Sequence, residues 1–510
     1  MRTCLAILLV SGAARAAEKA DPAALARTID AHIQRKLDDA RIPAAPQADD
    51  AAYFRRLNLA LAGRIPVASE VRAFLADTTA DKRAKALDKI LASAGYANHM
   101  TTTWRGWLIP EASTNFEVAN GTPAFEAWLR PRIQSNLPFD KLVTELLTAT
   151  FDGRTPAMAR NPDDGSANPL TFYIAKDGKP ENLAAATSRL FLGVQLECAQ
   201  CHNHPFAKWS REQFWGLAAF YGGVTRADGN LREVSGRREM TIPNTERTVP
   251  ATFLSDEEPA WKFKRSPRVT LAEWITAKGN PFFARAAVNR VWGLMFGVGI
   301  VDPVDDFNDQ NKPSHPELLD ELAATFTASG FDLKYLVRAI ALSETYQRAS
   351  VGTDSRQLDA RLFARFPVQG LTPEQLFDSL SVVSGTALEG PGGNYLQANG
   401  SPKRQFLETF QRMGKATETQ TTILQALTLM NGGETGTATT GGAGRTLDAI
   451  VELPGLTANE RLEAIYLTVL SRKPTADELK RLTAFVGGKP ERLADVLWVL
   501  LNGIEFRTLN

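Results

Sequence analysis

Along most of the chain, apolar residues recur every three or four positions, the spacing of one buried helix face. In VRAFLADTTADKRAKALDKILASAGY (71–96), Ala86, Leu87, Ile90 and Leu91 fall on such a face. In KPENLAAATSRLFLGVQLE (179–197), Leu183, Ala186, Leu190, Phe191 and Val194 do the same, with Asn182 as the expected cap. Helix starts are predicted where Ser or Thr precedes Glu or Gln by three residues: Ser210 with Gln213, Thr270 with Glu273, Ser314 with Glu317, Thr372 with Gln375, and Thr475 with Glu478. At that spacing each side chain satisfies a backbone donor left free by the first helical turn. The expected fold is mainly α.

One stretch breaks the pattern. Residues 223–268, including REVSGRREMTIPNTERTVPATFL, mix β-branched residues, turn formers and prolines, which predicts short strands in an irregular connection. With 510 residues the chain exceeds what one hydrophobic core usually serves. The expectation is therefore two helical domains, 20–222 and 269–510, joined by a short β-containing linker at 223–268. Within the second domain GPGGN (390–394) is glycine-rich, and GGETGTATTGGAG (432–444) is a low-complexity Gly/Thr run too poor in apolar side chains to order itself, expected to be a mobile, exposed loop.

Charge narrows the function classes. Lys and Arg number 58 against 57 Asp and Glu, leaving no basic excess of the kind that displaces counterions from nucleic acid. MRTCLAILLVSGAARAAEKA opens with Arg2, an apolar run from Cys4 to Val10, and small residues before a cleavage point after Ala16. That is the order of a secretory signal peptide (1–16), and the run is too short to span a bilayer. The expected location is exported, in the periplasm or cell envelope, with no transmembrane segment after cleavage.

Removing the signal leaves two of the three cysteines, Cys198 and Cys201, inside LECAQCHNHPF. A large exported protein with so few cysteines does not rely on disulfides for its fold, so a thiol pair three residues apart points to a local purpose. CAQCH fits Cys-x-x-Cys-His, in which two thiols one turn apart form thioethers to haem c and the adjacent His202 becomes the proximal ligand of the iron. Two other readings stand beside it. One is a Cys198–Cys201 disulfide in a non-haem structural or interaction module, though the strand–helix setting of thioredoxin-like pairs is missing. The other is a zinc-dependent enzyme using Cys198, Cys201, His204 and the distant His315, since two Cys and two His form a tetrahedral zinc set.

Further candidates surround the motif. A distal haem ligand would come from His32, His99, His315, Met240 or Met295, and the pattern does not choose among them. Phe206, Trp209, Phe214, Trp215, Phe220 and Tyr221 follow the motif closely, as core or as the dry walls of a haem pocket. Arg285, Asn289 and Arg290 sit in an otherwise apolar helix, with Asp302, Asp305 and Asp306 as expected partners of Arg290 in a buried network that holds a loop to the helix. The acidic run DPVDDFNDQN lacks the glycine and terminal Glu of an EF-hand.

At this point a family resemblance emerges. FLGVQLECAQCHNHPFAKWSREQFWGLAAFY resembles the signature of the planctomycete cytochrome-C-like domain, and YFRRLNLALAGRIPVASEVRAFL (53–75) resembles its N-terminal segment. Residues 280–350, from NPFFARAAVNRVWGLMFGVG onward, resemble the second planctomycete-specific domain, of unknown function, that follows it; ILQALTLMNG and ERLEAIYLTVLSRKPTADELKRL fit that domain's C-terminal part. The resemblance implies an exported protein of an uncharacterised family, with an unidentified redox or assembly partner. Relatives usually carry Asp where this chain has Asn203, and the Gly/Thr run after Asn431 is a second departure.

Overall fold

The helix Pro22–Ala40 shows how the chain assembles. Asp21 accepts from the Ala23 amide, Pro22 occupies the first helical position, and Leu25, Ala26, Ile29, Ile33 and Leu37 form one buried stripe. That stripe packs along Leu333–Leu342, a helix three hundred residues away in sequence. Asp30 locks the pairing by accepting from the amides of Glu344 and Thr345 at 2.9 and 2.8 Å. The computed structural model describes residues 21–151, 167–386, 402–411, 414–418, 421–440 and 445–510. The expected signal peptide and the GPGGN run lie outside the described residues.

The fold is mainly α, with three small two-stranded sheets among the described residues. The buried apolar side chains of the N-terminal and C-terminal halves join in one continuous core. Helix Asp50–Ala62 passes through its middle and carries two buried arginines. Arg55 donates to the carbonyls of Val469 and Phe506, both at 3.0 Å, and Arg56 donates to those of Asn510, at 3.1 Å, and Tyr346. A guanidinium is buried at tolerable cost when its donors find acceptors, and here the C-terminal residues Phe506 and Asn510, with Val469 and Tyr346, supply them.

Ala86, Leu87, Ile90 and Leu91 are all buried, on helix Lys82–Ala92. Ser210–Gln213, Thr372–Gln375 and Thr475–Glu478 form complete capping boxes. Thr270 and Ser314 do not. In both places a proline sets an earlier or later start: Ser266 precedes Pro267, and His315 precedes Pro316. Likewise Lys179, not Asn182, precedes the helix beginning at Pro180, and Asn182 instead donates to the Lys176 carbonyl.

The segment 223–268 holds two hairpins, Val224–Ala227 with Asn230–Glu233 and Glu239–Thr241 with Thr248–Pro250. It is more than a spacer. Phe253 stacks between Phe220 and Trp274, with ring centroids 5.1 and 4.8 Å apart, tying the two helical regions together. Glu233 pairs with the buried Arg268, which also donates to the Leu147 and Ala149 carbonyls.

The Gly/Thr run corrects one expectation. Residues Gly433–Thr439 form a helix whose Thr435 and Ala438 are buried, against helices Pro373–Ser384 and Arg492–Asn502. Small residues allow close packing that a count of large apolar residues overlooks. Gly432 is required at the junction, where a Cβ would lie 2.2 Å from the Thr428 carbonyl oxygen. Residues 441–444 lie outside the described residues.

Candidate functional site

The approach to the motif is shaped by backbone. Helix Pro180–Thr187 widens into a π-turn over Ser188–Leu192 and stops at Gly193, whose φ of 70° lies in the left-handed region. A side chain there would also strike the Phe307 ring, 2.7 Å from the Cβ position. The chain then enters a 3₁₀ turn, Glu197–Gln200. Side chains three apart on such a turn lie one above the other. Leu196 and Ala199 are buried; Cys198 and Cys201 are both exposed, as free thiols.

The two motif histidines do different things. His202 is exposed, and its Nδ1 lies 2.7 Å from the Asn203 carbonyl oxygen. A proton on Nδ1 donates there and leaves Nε2 with its lone pair outward, the tautomer suited to a metal. His204 belongs to the turn: its amide donates to the Trp209 carbonyl at 2.8 Å, and its Nδ1 accepts from the Phe206 amide at 3.2 Å.

Neighbours hold the turn from beneath. The Gln200 carbonyl accepts from the Trp215 indole at 3.0 Å and from Arg211 Nε at 3.4 Å, while Arg211 also reaches the Pro243 carbonyl. The Arg211 amide donates to Asn203 Oδ1 at 3.0 Å. Arg211 and Trp215 were not singled out for this role by the sequence pattern, where they read as helix residues; the signal was their place on the first turns after the motif. Of the aromatic run, Trp209, Phe214, Trp215, Phe220 and Tyr221 are core, whereas Phe206 is 66% exposed. Those rings pack on protein neighbours, the core alternative of the two given for the run, and at the motif Cys198, Cys201 and His202 are the residues whose chemistry would fit haem. Beside the motif loop lies an open cleft of about 270 Å³, with Ala207 and Trp209 on one wall and Phe282, Arg285, Phe307 and Asn311 on the others.

That opposite wall grips the motif's approach. Asp305 accepts from Gln195 Nε2 at 3.1 Å and pairs with Arg189, which also pairs with Glu197; the Phe307 amide donates to the Gly193 carbonyl at 2.9 Å. Asn289, fully buried, clamps the same loop: its amide donates to the Val301 and Val304 carbonyls and its oxygen accepts from the Val301 amide. The expected network is thus present with different pairings. Arg285 binds Asp320, and Arg290 donates to the Arg189 carbonyl at 3.1 Å, not to Asp302 or Asp306; Asp302 pairs with Lys415.

The remaining candidates do not gather at the motif. Among the described residues, no group of three or more His, Cys, Asp or Glu side chains is placed to hold a metal ion. Cys198, Cys201, His204 and His315 are therefore not assembled as a four-ligand set. His315 is buried beside the Phe363 ring, with Nδ1 3.0 Å from Ser314 Oγ. Burial, with Lys36, His32 and Arg361 nearby, pushes it down to about 3, so it is neutral in the native protein. Of the distal candidates, His32 pairs with Glu321, burial pushes His99 down to about 4, Met295 is in the core, and Met240 lies on a strand opposite Val249. No helix among the described residues is long and apolar enough to cross a membrane.

Compared with known families, residues 28–226 match the model PSCyt2, described as a protein of unknown function (DUF1549). Residues 267–416 match PSD1, a protein of unknown function (DUF1553). No curated protein and no solved structure matches the chain.

Proposed function

We propose that this chain, which belongs to the planctomycete family in which PSCyt2 is followed by PSD1, is an exported c-type haem protein serving electron transfer or redox sensing. The observation that carries this reading is the outward face of the motif turn: two free, exposed thiols three residues apart and an exposed imidazole whose Nδ1 is satisfied by the adjacent carbonyl. Cys198 and Cys201 would hold the haem by thioethers, and His202 would be the proximal ligand through Nε2. Haem, when bound, supplies a one-electron couple. The chain's own contribution is positional. Trp215 and Arg211 fix the Gln200 carbonyl, Leu196 and Ala199 turn the thiols outward, and the Asn203 carbonyl selects the His202 tautomer.

The test is expression with the leader in a host competent for cytochrome c maturation, followed by a pyridine haemochrome spectrum and intact mass. One haem of added mass, lost in Cys198→Ala/Cys201→Ala, is the expected result. A colourless protein at apoprotein mass sinks it. The second reading, a non-haem interaction module whose thiols close to a disulfide, is favoured by the same outward pairing; it would appear as a mass two hydrogens light and absent free thiol.

A further inference from the structure

A separate cavity lies in the N-terminal region, away from the motif. It measures about 300 Å³, at the small end of ligand sites, and is bounded by helices Asp50–Ala62, Ala68–Ala76 and Lys82–Ala92. Its apolar lining includes Phe54 and Phe74, stacked at 4.4 Å and 12°, with Ala62, Ala73, Ala86 and Ile90. No part of the motif contributes to it.

Arg64, Lys82, Lys85, Lys89, Glu70 and Asp77 supply its charges. They are not equally available. Lys82 is held by Asp50 at 2.6 Å and by the Asp77 carbonyl, and Lys85 by Asp81 at 2.8 Å. Asp77 is turned to the Thr79 amide, which keeps its carboxyl below the usual range. Lys89 is different: it is 75% exposed and sits 3.6 Å from Glu70, a loose pair. Arg64 donates to the carbonyl of its own neighbour Ile65 at 3.3 Å, with Asp378 in its field. The cavity thus joins an apolar, ring-lined interior to two cations whose present contacts are weak; Asp77 is already engaged by the chain, and Glu70 has only the loose pair with Lys89.

We propose that this cavity binds a small amphiphilic anion, a carboxylate carrying an apolar tail of medium-chain acyl size. The tail would lie against Phe54 and Phe74, and the carboxylate would accept from Arg64 and Lys89. A neutral alcohol of the same length would share the first contact and lack the second.

The probes are octanoate and octanol, titrated into the full chain by isothermal calorimetry and by saturation-transfer NMR. Saturable octanoate binding is expected, with octanol roughly fivefold weaker, the upper range for an exposed ion pair. Lys89→Gln should reduce that preference, with Arg64 still in place, while leaving octanol binding unchanged. Ala73→Trp, at an exposed helix position lining the cavity, should weaken both by about tenfold or more as the ring occupies the space. Lys89→Gln lies on the surface, so the fold survives it even if the tryptophan variant does not. Absence of saturable binding, or octanoate binding indifferent to Lys89→Gln and Ala73→Trp, overturns the proposal.

Discussion

The motif turn, 197–204, and the loop 301–315 are both irregular and both rich in residues able to do chemistry. The loop reaches the segment that leads into the motif, through Gly193, Gln195 and Arg189, and the two differ in who does the structural work. In the loop, the loop's own side chains are spent on holding shape: Asp305 on Gln195 and Arg189, Asn308 on Asp306 and the Gln310 and Asn311 amides, and His315 beside Ser314 in the core. In the motif turn, the holding is done by Trp215 and Arg211, mostly through a backbone carbonyl. Cys198, Cys201 and His202 are left exposed. A residue type that binds metals is therefore informative only when its neighbours have relieved it of other duties. By that test His202 is a ligand candidate and His315 is not.

The largest expected effect that sharpens this contrast is on stability. Asn289 satisfies three backbone groups of the loop from a fully buried position. Asn289→Ala should cost about 3 kcal/mol by leaving those groups unpaired. Cys198→Ser/Cys201→Ser, at exposed positions, should move the same urea transition by less than about 0.5 kcal/mol. If the two variants destabilise equally, the division between a structural loop and a relieved motif fails.

The second effect is on pH dependence. His315 is held neutral, with its pKa pushed down to about 3 from an ordinary 6.5. Between those values the unfolded chain binds the extra proton, so stability is complete above pH 6.5 and falls as pH drops toward 3. At pH 5 the loss amounts to about 2 kcal/mol relative to pH 8. Urea midpoints of His315→Gln should fall less steeply across that window; His99, pushed down to about 4, adds slope of the same sign, as do carboxyls held low, such as Glu478, in its acidic part. An unchanged slope would mean that His315 takes up its proton in the native state as readily as in the unfolded chain.

How much of this could be read beforehand follows from the range of each interaction. The Lys82–Ala92 face and the Ser210, Thr372 and Thr475 boxes depend on residues three or four apart, and they were legible. Thr270 and Ser314 misled because a nearby proline outranks a capping side chain in setting where a helix begins. Helix Gly433–Thr439 was hidden because its order comes from small-residue packing against distant helices, which composition does not reveal. For the site, the Cys-x-x-Cys-His spacing was legible as chemistry. The exposure of its side chains and the seclusion of His315 arise from contacts across the chain, and the Asn203 carbonyl under His202, though local, depends on a backbone turn that the spacing does not give.

Asn203 supplies the smallest test of the comparison. Its Oδ1 accepts from the Arg211 amide, at the first residue of helix Arg211–Ala219, where backbone donors point out of the helix with a partial positive charge. Asn203→Asp, the residue usual at this position in the resembling family, would place a full negative charge there and strengthen that bond. Stability should rise by about 0.5 kcal/mol, fading above roughly 0.5 M salt, as a raised urea midpoint would show. The His202 contact is with the Asn203 backbone carbonyl, which the substitution leaves in place. Stability and the state of His202 should therefore separate: the imidazole's NMR titration in the apoprotein should keep its tautomer while the helix gains. A change of tautomer would show instead that the side chain at 203, and not its carbonyl, sets the imidazole, and that the motif is less relieved of structural duty than its exposure implies.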